Sequence, residues 1–245
     1  MKSKTSVICA VYSQDHDRFE LINSHLNNLQ SQTVEVEPIY VFENGDTPPS
    51  SLKGEVIVCN KPLTIYEAWN IALSACRTPL VINLNLDDRL NLDAIEHMER
   101  VITDNSGDLI GGDWKICYSQ EETDTISNCF NADLINFCSD WPPSIGTSTR
   151  LGSGTGERGT YGPATMWRLS AHVGFPRYPY RTTDDYRIRS VADSIWWDIL
   201  STHLQKNLIR LPLIIGNYYS HPNTQAEFRV ENEWEILKSK TIELY

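Results

Sequence analysis

The sequence predicts an α/β fold with a mostly parallel central sheet and helices on both faces. Three observations predict it. Short apolar, β-rich runs alternate with helical patterns through the first 120 residues, the signature of a parallel sheet with helical crossovers. The chain has 245 residues, 40% hydrophobic and 22% charged, enough to bury the core that such a sheet needs. Polar residues cluster just past several predicted strand ends, where open α/β sheets bind ligands.

Ser6 to Tyr12 reads as the first strand, and Phe19, Ile22, Leu26 and Leu29 mark one face of the following helix. Pro38 to Phe42 is a second strand, stopped by Glu43-Asn44-Gly45-Asp46 and Pro48-Pro49. Val56 to Cys59 is a short third strand. Thr64 and Glu67 have capping-box spacing, and their helix continues through Ala68, Trp69, Ile71, Ala72 and Ala75. The next strand, Leu80 to Leu86, ends in Asp87-Asp88. Asn91 is placed to cap a helix that turns Leu92, Ile95, Met98 and Ile102 inward. Asp108 to Tyr118 follows as a strand with a bulge at Gly111-Gly112.

The second half is less regular. Residues 139–162 are rich in Gly, Ser, Thr and Pro, which suits a binding loop or lid better than an interdomain linker. Val230, Trp234 and Leu237 lie at helical spacing in a terminal helix. The expected organisation is one domain over 1–225, with a 1–120 nucleotide-binding half and a 121–225 acceptor half. Residues 226–245 form the terminal helix.

Net charge is −11, from 21 basic and 32 acidic residues, which disfavours nucleic acid and anionic lipid as partners. The six cysteines form no Cys-x-x-Cys pair, so free thiols in a reducing compartment are expected. The N-terminus reads as a first strand rather than a signal peptide, and no run approaches the ~20 apolar residues of a membrane span. A cytoplasmic location is expected, with a peripheral membrane role left open.

Asp87 and Asp88 are the sharpest chemical feature. Two adjacent carboxylates at a strand tip repel each other and call for a positive partner. A divalent cation carrying a phosphorylated ligand fits, because hard cations prefer carboxylate oxygens. The competing reading is a solvated turn that starts the next helix. Tyr12-Ser13, Glu43-Asn44 and Asn60 also fall just past strand ends, so all would line one rim with Asp87-Asp88. Tyr12 is placed to stack on or edge a base, and Glu43 to accept from a base or ribose; each could equally be an ordinary strand-end or turn residue.

The order of these segments resembles family 2 glycosyltransferases, which have the Rossmann-like GT-A fold. The resemblance rests on SVICAVYSQ, IYVFENGD, IYEAWNIALSAC, LNLDDRL, GPATMWR, ADSIWWDIL and NYYSHPNT, and spans roughly residues 5–225. It implies a hexosyltransferase-like enzyme that moves a sugar from a nucleoside-diphosphate sugar to a hydroxyl on a glycan, a lipid-linked sugar or a protein. Inversion at the sugar is implied, as is a Mn²⁺ or Mg²⁺ ion. By resemblance, Asp193 is the catalytic base. Tyr12, Ser13, Glu43, Asn70, Asn85 and Asp87 contact the nucleotide. Asp87, with Asp88 and His221, holds metal, while Gly162, Trp167 and Trp197 lie towards the acceptor or sugar.

Each assignment has a structural counterpart. Asp193 could cap a helix, Asn70 could bond backbone, Trp167 and Trp197 could be core, and His221 could be structural. Arg150 and Arg158 could clamp phosphate or be solvated, and Asp184 and Asp185 are fallback bases. The family's metal motif usually begins with an acidic residue where this chain has Asn85, an uncharged amide. That departure suits a catalytically silent nucleotide-sugar-binding protein. A nucleotidyltransferase fits less well, because VYSQDHDRFE after the first strand lacks glycine.

Overall fold

The structure is a computed structural model and describes residues 4–12, 18–131, 164–172, 177–200, 206, 208–219 and 230–244. Among these, β1 (Thr5–Val11), β2 (Val36–Phe42), β3 (Glu55–Val58) and β4 (Leu80–Asn83) run parallel. Beyond β4 come β8 (Met166–Arg168), β6 (Leu109–Cys117), β9 (Leu208–Tyr219) and the short β5 (Arg89–Leu90). The order is β3-β2-β1-β4-β8-β6-β9-β5, and a two-residue β7 (Phe130–Asn131) pairs with β9. β8 is antiparallel to both β4 and β6, so β6 and β9 return to the direction of β1.

Period-two alternation builds two covered faces. Ile8, Ala10, Ile39, Val41 and Val81 pack with α2 (Ile65–Ala75) and α5 (Ala192–Asp198). Residues one step out of phase pack on the other face: Cys9, Val11, Tyr40 and Phe42 meet α1 (Arg18–Gln30), and Val7, Leu80 and Ile82 share a cluster with α3 (Ala94–Asp104). A single-turn α4 (Gln120–Thr123) follows β6, and α6 (Val230–Leu237) is the last of the described helices.

Several expectations change in detail. Phe19 is 44% exposed rather than inward, with the Arg18 guanidinium 4.6 Å above its ring; His25 and Asn28 take buried positions on α1. β4 stops at Asn83, not at Asp87, although Leu84 and Leu86 stay buried in a loop beneath the rim. Asn91 does not cap α3 with its side chain. It bonds Ile214 O and Ser127 N, joining β9 to the 127 loop. The irregularity in β6 falls beside Asp113, immediately after the two glycines. On α6 the inward residues include Glu233 and Leu237, while Trp234 is 38% exposed. The 139–162 loop lies outside the described residues. Cys9, Cys59, Cys76, Cys117 and Cys129 are free thiols, and no described helix is long and apolar enough to cross a membrane.

The His25 position makes a stability prediction. It is fully buried, with Nδ1 2.9 Å from the Tyr40 hydroxyl. Burial, then the Arg89 charge, lowers its pKa from 6.5 to about 3. The unfolded chain therefore binds a proton that the folded chain excludes between those pH values, and stability is lost as pH falls through that window. His25 alone should contribute a slope of roughly 1.4 kcal/mol per pH unit. Urea unfolding of His25→Gln between pH 4 and 7 should show a correspondingly flatter dependence.

Candidate active site

The carboxyl ends of β1 to β4 and of β9 share one rim, because these strands run the same way. Tyr12 follows β1 and is 36% exposed. Glu43 follows β2 and is nearly buried, accepting from the Leu63 N–H at 2.8 Å. Asn44 and Gly45 both take positive φ, at 53° and 68°, which an Asn-Gly pair tolerates where other residues strain. Gly45 N then donates to Cys59 O at 2.8 Å, tying the β2 and β3 ends together.

The bond from Leu63 leads directly into α2. Thr64 accepts from Glu67 N, and the Glu67 carboxylate accepts from Thr64 N at 2.7 Å, completing the capping box. Arg187 pairs with the same carboxylate and donates to Pro62 O. The buried Tyr66, in the first turn of α2, donates its hydroxyl to Asp193 Oδ1 at 3.2 Å. Asp193 is the second residue of α5 and does not cap it; the helix begins after Val191 without a side-chain cap. Burial, then the Asp193 charge, pushes the Tyr66 phenol well above its ordinary pKa, so it stays a hydrogen-bond donor.

Asp87 and Asp88 stand at the same rim with different surroundings. Asp87 is half-buried. Asp88 is fully buried, and its Oδ1 accepts from the N–H of Tyr219, the last residue of β9, at 3.1 Å. Burial, then the neighbouring Asp87 charge, raises the Asp88 carboxyl well above the usual range, against the opposing effects of the Tyr219 N–H, Arg89 and the Asn85 amide. Asp88 Oδ2 and Asn85 Oδ1 are buried acceptors with no hydrogen-bond partner. Orphaned oxygens of this kind suit a hard divalent cation. No cluster of three or more His, Cys, Asp or Glu side chains occurs among the described residues, so ligand oxygens would have to complete such a site.

Part of the positive partner required by the Asp pair comes from the chain itself. Arg89 is 1% exposed, and its Nη1 donates to Leu86 O at 2.8 Å and Asp88 O at 2.7 Å. Its Nε meets Ser24 Oγ at 3.1 Å and the Asp124 carboxylate at 2.7 Å. The guanidinium thus pins both sides of the acidic turn, a role the sequence reading missed although Arg89 is the next residue. β5 is held against β9 by close approach: a Cβ on Gly216 would lie 2.3 Å from Arg89 O. Lysine offers no planar fork. Arg89→Lys should cost about 2–3 kcal/mol, as lost charge-assisted hydrogen bonds do, read as a lower urea midpoint at unchanged slope.

Other candidates take different places. Asn70 is buried and bridges backbone, giving its amide N–H to Tyr178 O at 2.8 Å and accepting from Tyr178 N at 3.1 Å. Trp167 is fully buried, with Trp196 at 5.3 Å and Tyr178 at 6.0 Å between ring centroids, and its Nε1 donates to His172. Its ring packs as a core residue does. Asp184 accepts from Thr182 Oγ1 and pairs with Lys240, and Asp185 pairs with Arg181; both face the chain's own cations. Ser13, Gly162, His221, Arg150 and Arg158 lie outside the described residues, as does the Trp197 side chain.

No protein-family model matches the chain, and no curated protein matches it by sequence. In three dimensions it is similar to S. aureus TarS 1-349, with TM-score 0.57, 16% identity, and coverage of 88% of this chain and 60% of that one. The same TarS fragment in complex with UDP-GlcNAc gives 0.58, 15% identity, and 91% and 60% coverage. The mannosyltransferase PcManGT from Pyrobaculum calidifontis, in complex with GDP-Man and Mn²⁺, gives 0.57, 12% identity, and 97% and 63% coverage. The chain spans about three fifths of the length of these structures. What the likeness establishes is the fold: the central sheet and its covering helices are GT-A-like.

Proposed function

We propose that this chain is a glycosyltransferase of the family 2 type, transferring a sugar from a nucleoside-diphosphate donor to a hydroxyl acceptor with inversion. The observation that carries this reading is the rim itself. Glu43 and the Asp87-Asp88 turn lie along the carboxyl side of a GT-A-like sheet, and Glu43 and Asp193 are each hydrogen-bonded to the same short stretch at the start of α2, Glu43 at Leu63 and Asp193 at Tyr66. Solved structures of the same fold include complexes with UDP-GlcNAc and with GDP-Man and Mn²⁺, which supports a nucleotide-sugar donor here.

The reaction places two electrostatic demands on the site. The departing diphosphate gathers negative charge, and the acceptor hydroxyl must lose a proton. Asp87, with Asp88 and Asn85 behind it, would hold a divalent cation; when bound, that ion supplies charge stabilisation of the leaving group. Tyr12 and Glu43 would orient the nucleotide. Asp193 takes the proton as the acceptor oxygen attacks the anomeric carbon and the sugar–phosphate bond breaks. Tyr66 holds the carboxylate of Asp193 through Oδ1.

Calorimetric titration with UDP, GDP, CDP and dTDP, with Mn²⁺ and with chelator, tests the reading. One diphosphate should bind tightly and only with metal. Absence of binding by all four would sink the donor-site assignment. Asn85, an amide where a carboxylate is usual, supports the second reading, a nucleotide-sugar-binding protein without turnover. Metal-dependent binding with no transfer or hydrolysis of the matching sugar donor would select it.

A further inference from the structure

The turn that leads into α5 is built around a residue more than 40 positions away in the chain, Glu233 on α6. Glu233 is buried, and its carboxylate takes three donors. Oε1 accepts from Arg189 N at 2.8 Å and from the Tyr186 hydroxyl at 3.2 Å, and Oε2 accepts from Ser190 N at 2.6 Å. Arg189 and Ser190 stand four and three residues ahead of Asp193, where the chain enters a helix without a side-chain cap. Neutral acceptors do not substitute well: both oxygens of one carboxylate are used, and a glutamine would turn an N–H towards one of these donors.

The C-terminal segment that carries Glu233 is itself fixed. Leu237 is buried in the core beside α2 and α5. Beyond it, Thr183 N donates to Thr241 O at 2.8 Å and Glu243 N donates to Arg181 O at 3.0 Å, while Arg181 pairs with Glu243 at 2.8 Å. The hairpin at 181–187 is therefore gripped along its first arm by 241–243, and at its exit by Glu233.

We infer that Glu233 is a positioning residue for Asp193: it fixes the 189–190 turn, and with it the angle at which the first turn of α5 presents the carboxylate to the rim. Tyr66 holds the carboxylate from the α2 side, and Glu233 holds the backbone behind it. This inference rests on the reading of Asp193 as the base.

The test compares Glu233→Gln with Leu237→Ala, a packing loss on the same helix, in the full chain. Glu233→Gln should keep the affinity for nucleoside diphosphate within about twofold and lower kcat by roughly 10²-fold, as an ångström-scale misplacement of a reacting group does. Leu237→Ala should lower the thermal midpoint and keep kcat within a few-fold. Equal kcat losses in the two variants, compared at temperatures where both are folded, would reduce Glu233 to a structural role and overturn the inference.

A second readout needs no substrate. In protein carrying ¹³C-labelled aspartate, the Asp193 carboxyl signal, assigned by its loss in Asp193→Asn, should move in Glu233→Gln. An unmoved signal overturns the inference whether or not the protein proves to be a transferase, and absence of turnover with a moved signal overturns only the transferase reading. If Glu233→Gln does not fold, Tyr186→Phe removes one bond to the same carboxylate and should shift the same signal by less; no shift there has the same meaning.

Discussion

Asp193→Asn is expected to lower kcat by about 10²–10⁴-fold, the usual contribution of a positioned general base, while leaving diphosphate affinity unchanged. The substitution keeps the shape of the side chain and an oxygen for the Tyr66 hydroxyl, whose bond to Oδ1 is 3.2 Å. It removes the negative charge and, with it, the ability to take a proton. The residue sits on α5, held from α2, whereas the Asp87-Asp88 turn is held by Arg89 and by the end of β9. Loss of chemistry should therefore separate from loss of binding. Single-turnover transfer beside calorimetry of the diphosphate reads the two independently. Turnover within a few-fold of wild type would remove Asp193 as the base, and the reaction would need another acceptor for the proton. Asp184 and Asp185 are poor substitutes because each already faces a cation.

Local rules made much of this fold legible. The Thr64–Glu67 capping box and the apolar runs of β1 and β2 depend on neighbours in sequence, and the structure follows them closely. The apolar run from Leu80 to Leu86 overstates β4, which ends at Asn83, for a physical reason. Leu84 and Leu86 are apolar because they are buried, but they are buried in a loop; β8 pairs only with Leu80 to Ile82, and the chain leaves the sheet. Apolarity records burial rather than strand geometry. Asn70 and Trp167 each have two chemically sensible readings in the sequence, and both meet Tyr178, a contact that no local rule states. Arg89 could have been found from the argument already made for the Asp pair, since a buried carboxylate needs a positive neighbour and the next residue provides one. Glu233 could not, because nothing in α6 states which backbone amides will meet it.

Asp87→Ala should weaken metal-dependent diphosphate binding by at least about 10–100-fold, since replacing even the outer partners of a metal ligand costs that much. The comparison with Asp88→Ala gives the prediction its force. Asp88 is fully buried and accepts from Tyr219 N, so its removal strands a backbone donor at the β9 end and should cost about 1–3 kcal/mol of stability. Asp87 is half-buried. Its loss should relieve repulsion within the pair, bringing the Asp88 carboxyl back towards its ordinary range, because Asp87 is the second cause, after burial, of the raised value. Asp87→Ala should thus bind metal and diphosphate poorly while unfolding at the same or a higher temperature than wild type. Calorimetry and thermal unfolding on both variants decide the matter. Unchanged Mn²⁺-dependent affinity in Asp87→Ala would take that carboxylate out of the site. Equal affinity losses in both variants at equal stability would mean that the pair acts as one unit, in which the buried carboxylate faces the ion as directly as its neighbour.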